Sequence, residues 1–192
     1  MEYEIKFSAG AETFEAIRSD PELCAMAQGP REDIPMETHY YRDAEGLLSS
    51  GRIMLRLRCE GTRNVVTCKA PSPLRHAREE YELESDSPET AIPRLIDMGA
   101  PALLSELKGL EVFCGARFLR QALLLAFENC RAELALDSGF FFREDRKKDF
   151  FLLELELKEG SPEAVERLAA ILAEKYGLKP EPKSKLEQAM EL

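Results

Sequence analysis

The sequence of 192 residues contains no tryptophan and only two histidines. Two histidines are too few to build a metal centre from imidazole ligands, so we do not expect one. The five cysteines are odd in number, scattered along the chain and without any C-x-x-C spacing. This pattern favours reduced thiols over a disulfide framework or a zinc site, and it predicts a cytoplasmic protein.

Long apolar runs, a leader segment and an excess of basic residues are also missing. No run approaches the length of a membrane-spanning helix and no basic-then-apolar leader opens the chain, so we expect no membrane partner. The 26 lysines and arginines are outnumbered by 36 aspartates and glutamates, which leaves a net charge of −10. Proteins that bind nucleic acid are usually basic because they neutralise phosphates, so we expect no nucleic-acid partner. No G-x-x-x-x-G-K-[ST] motif occurs, so a P-loop is excluded.

The apolar residues that are present are sufficient for a globular fold. With 44% hydrophobic residues, a chain of this length can bury one sizeable core, and we predict a single domain over residues 1–192. Capping signals predict helices over Ser87–Lys108 and Ser161–Tyr176, a short last helix after Ser184, and two weaker helices within residues 11–28.

Six further segments alternate between apolar and charged residues with period two, which is typical of strands with two different faces. They are "EYEIKF", "IMLRLRC", "VVTCKA", "REEYELE", "CRAELALD" and "FLLELELK". A solvated sheet face would explain such charges in any single strand. Three features of the whole set favour an enclosed face instead: its charges are dense in glutamate and arginine, its acids and bases balance, and the helices need an apolar sheet surface to cover.

Together with Arg120, the charged faces carry nearly equal numbers of acids and bases. The acids are Glu2, Glu4, Glu80, Glu82, Glu84, Glu133, Asp137, Glu154 and Glu156, and the bases are Lys6, Arg56, Arg58, Lys69, Arg78, Arg120, Arg131 and Lys158. If helices cover the apolar faces, these charges point into the concave side of a curved or closed sheet. A barrel of about eight strands has room for one small ligand, and a charged interior is unfavourable unless ions and a ligand complete it. Carboxylates suit Mg²⁺ or Mn²⁺ and clustered arginine and lysine suit phosphate, so we predict a polyanion bound with a divalent metal ion.

The order of these segments resembles the pattern of a known family. "EYEIKF" resembles the E-x-E-x-K strand of the CYTH, or triphosphate tunnel metalloenzyme, family, and "LRLR", "TCK", "REEYELE" and "LLELELKEG" resemble its L-R-x-R, T-x-K, R-x-E-x-E and E-x-E strands. "AELALDSG" resembles the stretch that carries its aspartate, and "KSKLEQAMEL" the terminal S-K segment of its bacterial branch. The resemblance runs from Glu2 to Leu192, and the sequence is identified as a member of this family.

The resemblance implies an α+β fold, mainly antiparallel β: an eight-stranded closed β-barrel, or tunnel, with helices packed on the outside. It implies Mg²⁺ or Mn²⁺ as the cofactor, with the metal ligands Glu2, Glu4, Glu154 and Glu156. The residues implied to bind phosphate are Lys6, Arg56, Arg58, Lys69, Arg78, Arg120 and Lys185. The residues implied in catalysis are Glu4, Lys6, Glu82 and Asp137. Two positions depart from the family: Arg42-Asp43 replaces its Asp-Thr, and Arg117 competes with Arg120 for one position.

The function implied by the resemblance is hydrolysis of a small-molecule triphosphate with a divalent metal ion. Three features favour inorganic triphosphate, which would be cleaved to pyrophosphate and phosphate. They are the bacterial-type C-terminus, a chain that ends where the domain ends, and the lack of a tryptophan that could stack on a base. The alternatives are a nucleoside or thiamine triphosphatase, a class IV adenylyl cyclase, and a non-catalytic module that binds polyphosphate or a nucleotide. The glutamate pairs argue against the last, because anion binding alone would not need them. The oligomeric state, monomer or homodimer, stays open.

Overall fold

The structure is a computed structural model that describes residues 3–71 and 78–192, and for Arg78 the backbone alone. The strands of this part of the chain are β1 (Glu4–Ser8), β2 (Glu32–Arg42), β3 (Met54–Glu60), β4 (Arg63–Pro71), β5 (Arg78–Glu84), β6 (Glu111–Phe127), β7 (Cys130–Arg143), β8 (Arg146–Glu159) and β9 (Lys179–Pro180). The α-helices are α1 (Ala11–Arg18), α2 (Pro21–Met26), α3 (Leu47–Ser50), α4 (Pro88–Asp97), α5 (Pro162–Tyr176) and α6 (Lys185–Met190). A 3₁₀ helix spans Ala102–Glu106.

The strands form one sheet in the order β5-β4-β3-β2-β6-β7-β8-β1-β9. Strand β1 pairs antiparallel with β8 and β9, and β3 pairs antiparallel with β2 and β4, so the predicted α+β fold with mainly antiparallel sheet is confirmed. The predicted count of eight strands is wrong for the described residues, because the chain adds the two-residue strand β9 beside β1 after α5. Hydrogen bonds between described residues do not join β5 to β9, so closure of the barrel stays a prediction.

The chain divides into two compact units. Unit 1 comprises Met1–Ile34, Phe118–Phe140 and Lys148–Ser184, and unit 2 comprises Pro35–Arg117, Phe141–Lys147 and Lys185–Leu192. The boundaries fall inside β2, β6, β7 and β8, so four strands contribute residues to both units. The single domain over the whole chain stays a prediction.

The core of unit 1 lies between one face of its strands and the helices. Phe7 of β1 and Leu153 and Leu155 of β8 pack with Val165 and Leu168 of α5, and all five side chains are buried. In each predicted strand of unit 1, the apolar residues of the alternation are therefore the ones that face the helices. The charged residues of these strands point to the opposite face of the sheet.

The core of unit 2 repeats this arrangement with a different helix. Leu55 of β3 and Val66 and Cys68 of β4 pack with Ala91 and Leu95 of α4, and each of these side chains is at most 1% exposed. Period-two alternation thus predicted the buried face of β3 and β4 correctly. The other face of these strands carries the charges.

The helices agree with the sequence except after residue 97. The predicted helix Ser87–Lys108 is wrong as one element: α4 ends at Asp97, and Gly99 then adopts a φ of +108°, which breaks the helix before the 3₁₀ turn. Helix α5 and the two helices within residues 11–28 are confirmed. Over the described residues, no helix is both long and apolar enough to cross a membrane.

Candidate functional site

The charged face of unit 2 is a row of residues across three paired strands. Arg56 of β3 is the Cα partner of Thr67 in β4, and Thr67 is the Cα partner of Glu82 in β5. Two residues farther along β4, Lys69 is the Cα partner of Glu80 in β5. Residues in register on adjacent strands point to the same face, so the structure brings these predicted site residues together.

Ion pairs link the cations of this row to its acids. The Nη2 atom of Arg56 is 3.4 Å from Glu82 Oε1 and 3.9 Å from Glu80 Oε1, and Lys69 Nζ is 3.0 Å from Glu80 Oε1. The Arg56 side chain is only 14% exposed. Its Nε atom is buried and has no hydrogen-bond partner among the described residues. The row therefore retains one buried donor that an added anion could bind.

Thr67 and Arg56 keep the Glu82 carboxyl ionised. Burial alone would raise the pKa of Glu82, but a hydrogen bond of 2.6 Å from the Thr67 hydroxyl and the charges of Arg56 and Arg58 lower it below its usual value. Thr67 is fully buried, so its hydroxyl has a fixed partner. The sequence analysis did not select Thr67, although it shares the period-two phase of Lys69 and so could have been found.

The remaining basic residues of unit 2 are less fully described. Arg58 lies two residues beyond Arg56 on β3, and its Nη2 atom is 2.5 Å from Glu60 Oε1. The backbone of Arg78 pairs with Pro71, but its side chain lies outside the described residues. Lys185 is the half-buried first residue of α6. Phosphate binding by Arg78 and Lys185 stays a prediction.

The charged face of unit 1 contains a buried three-residue ion cluster. Arg120 Nε donates to Asp137 Oδ1 at 2.8 Å, and its Nη2 atom donates to Asp137 Oδ2 at 2.7 Å and to Glu154 Oε2 at 2.5 Å. Asp137 is fully buried. Burial opposes the charge of Arg120, but the hydrogen bonds and charges of Asp137 and Glu154 outweigh it and raise the pKa of the guanidinium above its usual value. These hydrogen bonds fix the positions of all three side chains.

Arg117, the competitor for the position of Arg120, lies in unit 2 and makes a different contact. Its Nη2 atom is 2.7 Å from Glu37 Oε1, and its side chain is 60% exposed. Arg120 is thus the residue that the structure places among the predicted catalytic and metal-binding acids.

The acids predicted to bind metal are only partly brought together. Glu4 and Glu156 are Cα partners on β1 and β8, so their side chains share the charged face of unit 1. Lys6 Nζ is 3.3 Å from Glu4 Oε1. Glu154 contacts Arg120 instead, and Glu2 lies outside the described residues. Among the described residues, no three or more acidic, histidine or cysteine side chains are grouped so that they could hold a metal ion.

Unit 1 also contains a pocket of about 440 Å³ next to this acid pair. Its lining residues are Gln28, Gly29, Pro30, Glu32, Ala122, Leu124, Arg131, Glu133, Lys158 and Glu159. Lys158 connects it to the pair, because its Nζ atom is 2.7 Å from Glu156 Oε2 and 3.8 Å from Glu133 Oε2. The segment of residues 28–32 was not predicted as part of a site.

The departure at Arg42-Asp43 has a structural explanation. The Asp43 carboxylate accepts hydrogen bonds from the backbone N–H groups of Leu47 at 2.8 Å and Leu48 at 2.9 Å, at the start of α3. Burial would raise the pKa of Asp43, but these bonds lower it. Arg42 forms an exposed ion pair with Glu111 at 2.6 Å. Asp43 therefore anchors the turn before β3.

Comparisons with known proteins agree on family and fold. A family model described as the CYTH domain matches residues 1–190. The structure of HpAC1 from Hippeastrum, described as a candidate adenylyl cyclase with a dominant triphosphatase activity, has a TM-score of 0.67 at 20% identity and covers 100% of this chain and 96% of its own. A Pyrococcus horikoshii protein gives 0.59 at 22% identity, covering 100% and 99%. A candidate adenylate cyclase of Bacillus halodurans gives 0.58 at 17% identity, covering 96% and 94%. At these identities the structures share the fold.

Proposed function

Because the chain belongs to the CYTH domain family, we propose that it hydrolyses a triphosphate with the help of a divalent metal ion. The observation that carries this proposal is the buried Nε atom of Arg56, which has no hydrogen-bond partner among the described residues. A buried donor without an acceptor is unfavourable, because the donor has lost its water and gained no bond. A phosphate oxygen would supply the missing acceptor, and its charge would be neutralised by Arg56 and Lys69, which both contact Glu80.

The predicted acids would serve different purposes in this reaction. Glu82, whose pKa is lowered, stays ionised and can accept a hydrogen bond from the attacking water at a carboxylate oxygen, which orients that water. Asp137 accepts hydrogen bonds from Arg120 at both carboxylate oxygens, so it positions the guanidinium. Phosphoryl transfer depends mainly on position and charge, and no Ser, Cys or His nucleophile is needed.

The Glu4–Glu156 pair fits a hard divalent cation such as Mg²⁺ or Mn²⁺. Like charges directly opposite each other on paired strands are destabilising, and a cation between them would remove that repulsion. Magnesium is typically held by one or two protein carboxylates, with waters and substrate phosphates completing its ligands, so a third protein ligand is not required. When bound, the ion would act as a Lewis acid on a phosphate oxygen. Glu2 and Glu154 as additional ligands, and closure of the sheet into a barrel, are further parts of this proposal.

Inorganic triphosphate is the substrate that we favour. Tyr40 is the Cα partner of Arg56, at the end of the charged row of unit 2. It is only 4% exposed, so its ring offers no face on which a base could stack. The chain has no tryptophan that could do so. A nucleoside or thiamine triphosphate is the second candidate, because the pocket in unit 1 places Ala122 and Leu124 beside polar groups and could receive an organic substituent.

A substrate comparison tests the proposal. Phosphate release would be measured for inorganic triphosphate, thiamine triphosphate and ATP, each with Mg²⁺ and with Mn²⁺, and ATP reactions would also be assayed for cyclic AMP. We expect the highest kcat/KM for inorganic triphosphate, with pyrophosphate and phosphate as products. Tight binding of triphosphate without turnover of any of the three substrates would identify a binding module and reject the enzyme.

A further inference from the structure

Lys158 lies at the metal-binding pair but has no place in the reaction proposed above. Its Nζ atom is 2.7 Å from Glu156 Oε2, which is a short charge-assisted contact, and 3.8 Å from Glu133 Oε2. Glu156 is in turn the Cα partner of Glu4. The ammonium group therefore occupies the carboxylate that the proposed metal ion would also bind.

We propose that Lys158 is an internal counter-ion that competes with the divalent metal ion for Glu156. The inference rests on the proposed metal-binding role of Glu156. An ammonium and a divalent cation that contact one carboxylate repel each other at short range, so each weakens the contact of the other. Binding of the ion therefore favours displacement of the Lys158 ammonium from Glu156, and each such displacement weakens the observed affinity for the ion.

The surroundings of Lys158 allow this displacement. Its side chain is 38% exposed and lines the pocket of about 440 Å³, so the flexible four-carbon stem has space in which to move. Glu133 lines the same pocket and is already 3.8 Å from the ammonium, so it can hold the charge after Glu156 is taken. Lys6, the cation on Glu4, is more enclosed at 18% exposure. Of the two lysines that contact the Glu4–Glu156 pair, Lys158 is therefore the one whose ammonium group can move away from its carboxylate.

This arrangement predicts how the site behaves with and without the ion. In the absence of metal, Lys158 offsets the repulsion between Glu4 and Glu156, and the fold is not destabilised by the empty pair. In the presence of metal and a triphosphate, phosphate oxygens add ligands to the ion and favour the displaced position of the lysine. The metal ion alone is then held more weakly than the two carboxylates by themselves would hold it.

Calorimetric titration with MnCl₂, without any substrate, tests the inference. Two uncharged variants, Lys158→Met and Lys158→Gln, should bind Mn²⁺ about fivefold more tightly than the wild type, as expected from the loss of one partly exposed ion pair. The conservative variant Lys158→Arg keeps the charge and should bind no more tightly than the wild type. Lys148→Met, an exposed lysine on the same strand, removes the same charge away from the pair and should change the affinity by less than about twofold. Melting curves of each variant should show a larger Mn²⁺-induced rise in Tm for the two uncharged variants.

Glu156→Gln separates failure of this inference from failure of the proposed function. The metal site stands if the wild type binds Mn²⁺ and Glu156→Gln binds it more weakly. If, in addition, both uncharged Lys158 variants bind Mn²⁺ no more tightly than the wild type, the counter-ion role of Lys158 is wrong. If the Lys148 and Lys158 variants gain affinity equally, only net charge matters and the inference is also wrong. If the wild type does not bind Mn²⁺, or Glu156→Gln binds it unchanged, the proposed metal site fails and the inference fails with it.

Discussion

At the scale of single residues, Thr67 helps to lower the pKa of Glu82 through one hydrogen bond of 2.6 Å. Thr67→Val keeps the shape of the side chain but removes the hydroxyl donor, so the pKa of Glu82 should rise towards its usual value. If ionised Glu82 orients the attacking water, the acidic limb of the kcat profile moves to higher pH, while kcat near neutrality stays close to that of the wild type because a carboxyl with its usual pKa is still ionised there. Thr67→Ser retains the hydroxyl and should stay close to the wild type. An unchanged pH profile in Thr67→Val would show that Glu82 has no such role.

Asp20 is a second residue whose charge matters, here for stability. Burial would raise its pKa, but hydrogen bonds from Lys175, Tyr176 and the backbone N–H groups of Glu22 and Leu23 lower it to about 2. Since the folded pKa is below the unfolded value of about 3.9, the contribution is fully present above about pH 4 and is lost as the pH falls towards 2.

We therefore expect Asp20→Asn to lower the free energy of unfolding by about 2 kcal/mol at pH 7, with a difference that shrinks below pH 4. Urea unfolding at pH 7, 4 and 3 measures this, and Asp145→Asn in an exposed turn serves as the control with little effect. A difference that does not change with pH would mean that Asp20 acts through packing and not through its charge.

At the scale of secondary-structure elements, β3 separates function from folding at adjacent positions. Arg56 points to the charged face, whereas Leu55 is 1% exposed in the core of unit 2. Arg56→Ala should lose charge-assisted bonds to the phosphates worth about 1.5–3 kcal/mol, a tenfold to hundredfold fall in kcat/KM, and stay folded. Leu55→Lys should bury an unpaired charge and unfold the protein. Thermal melting measures whether each variant folds, and phosphate release measures its activity. Full activity of Arg56→Ala would show that the charged face is an ordinary solvated sheet surface.

The elements that the sequence predicted well are those with strict local patterns. In β1, β3, β4 and β8, the apolar residues of the alternation, apart from Cys59, lie in a core or pack against one, and the charged residues lie on the other face. Strand β2 was not among the six alternating segments identified in the sequence. The buried side chains of Met36, Thr38 and Tyr40 alternate with more exposed ones, and this alternation could have identified the strand.

At the scale of the whole molecule, the sequence predicted the antiparallel α+β class and the two sets of charges, but not how the strands complete the sheet. Strand β9 is two residues long, and its pairing with Phe7 and Ser8 depends on where α5 ends. Closure of a barrel depends on the tilt and stagger of all strands, which no local pattern encodes. Contacts between distant residues were beyond the sequence as well, since nothing in the pattern of β6 shows that Arg120 binds Asp137 and Glu154.

Metal dependence of turnover tests the central claim, that this chain is a divalent-metal-dependent triphosphatase, most directly. Phosphate release from inorganic triphosphate would be measured on wild-type protein stripped with excess chelator and then supplied with increasing Mg²⁺ or Mn²⁺. We expect no release in chelator and recovery with either ion, because an ion held by the Glu4–Glu156 pair would supply the Lewis acid that the phosphate needs. Undiminished release in excess chelator would contradict the account.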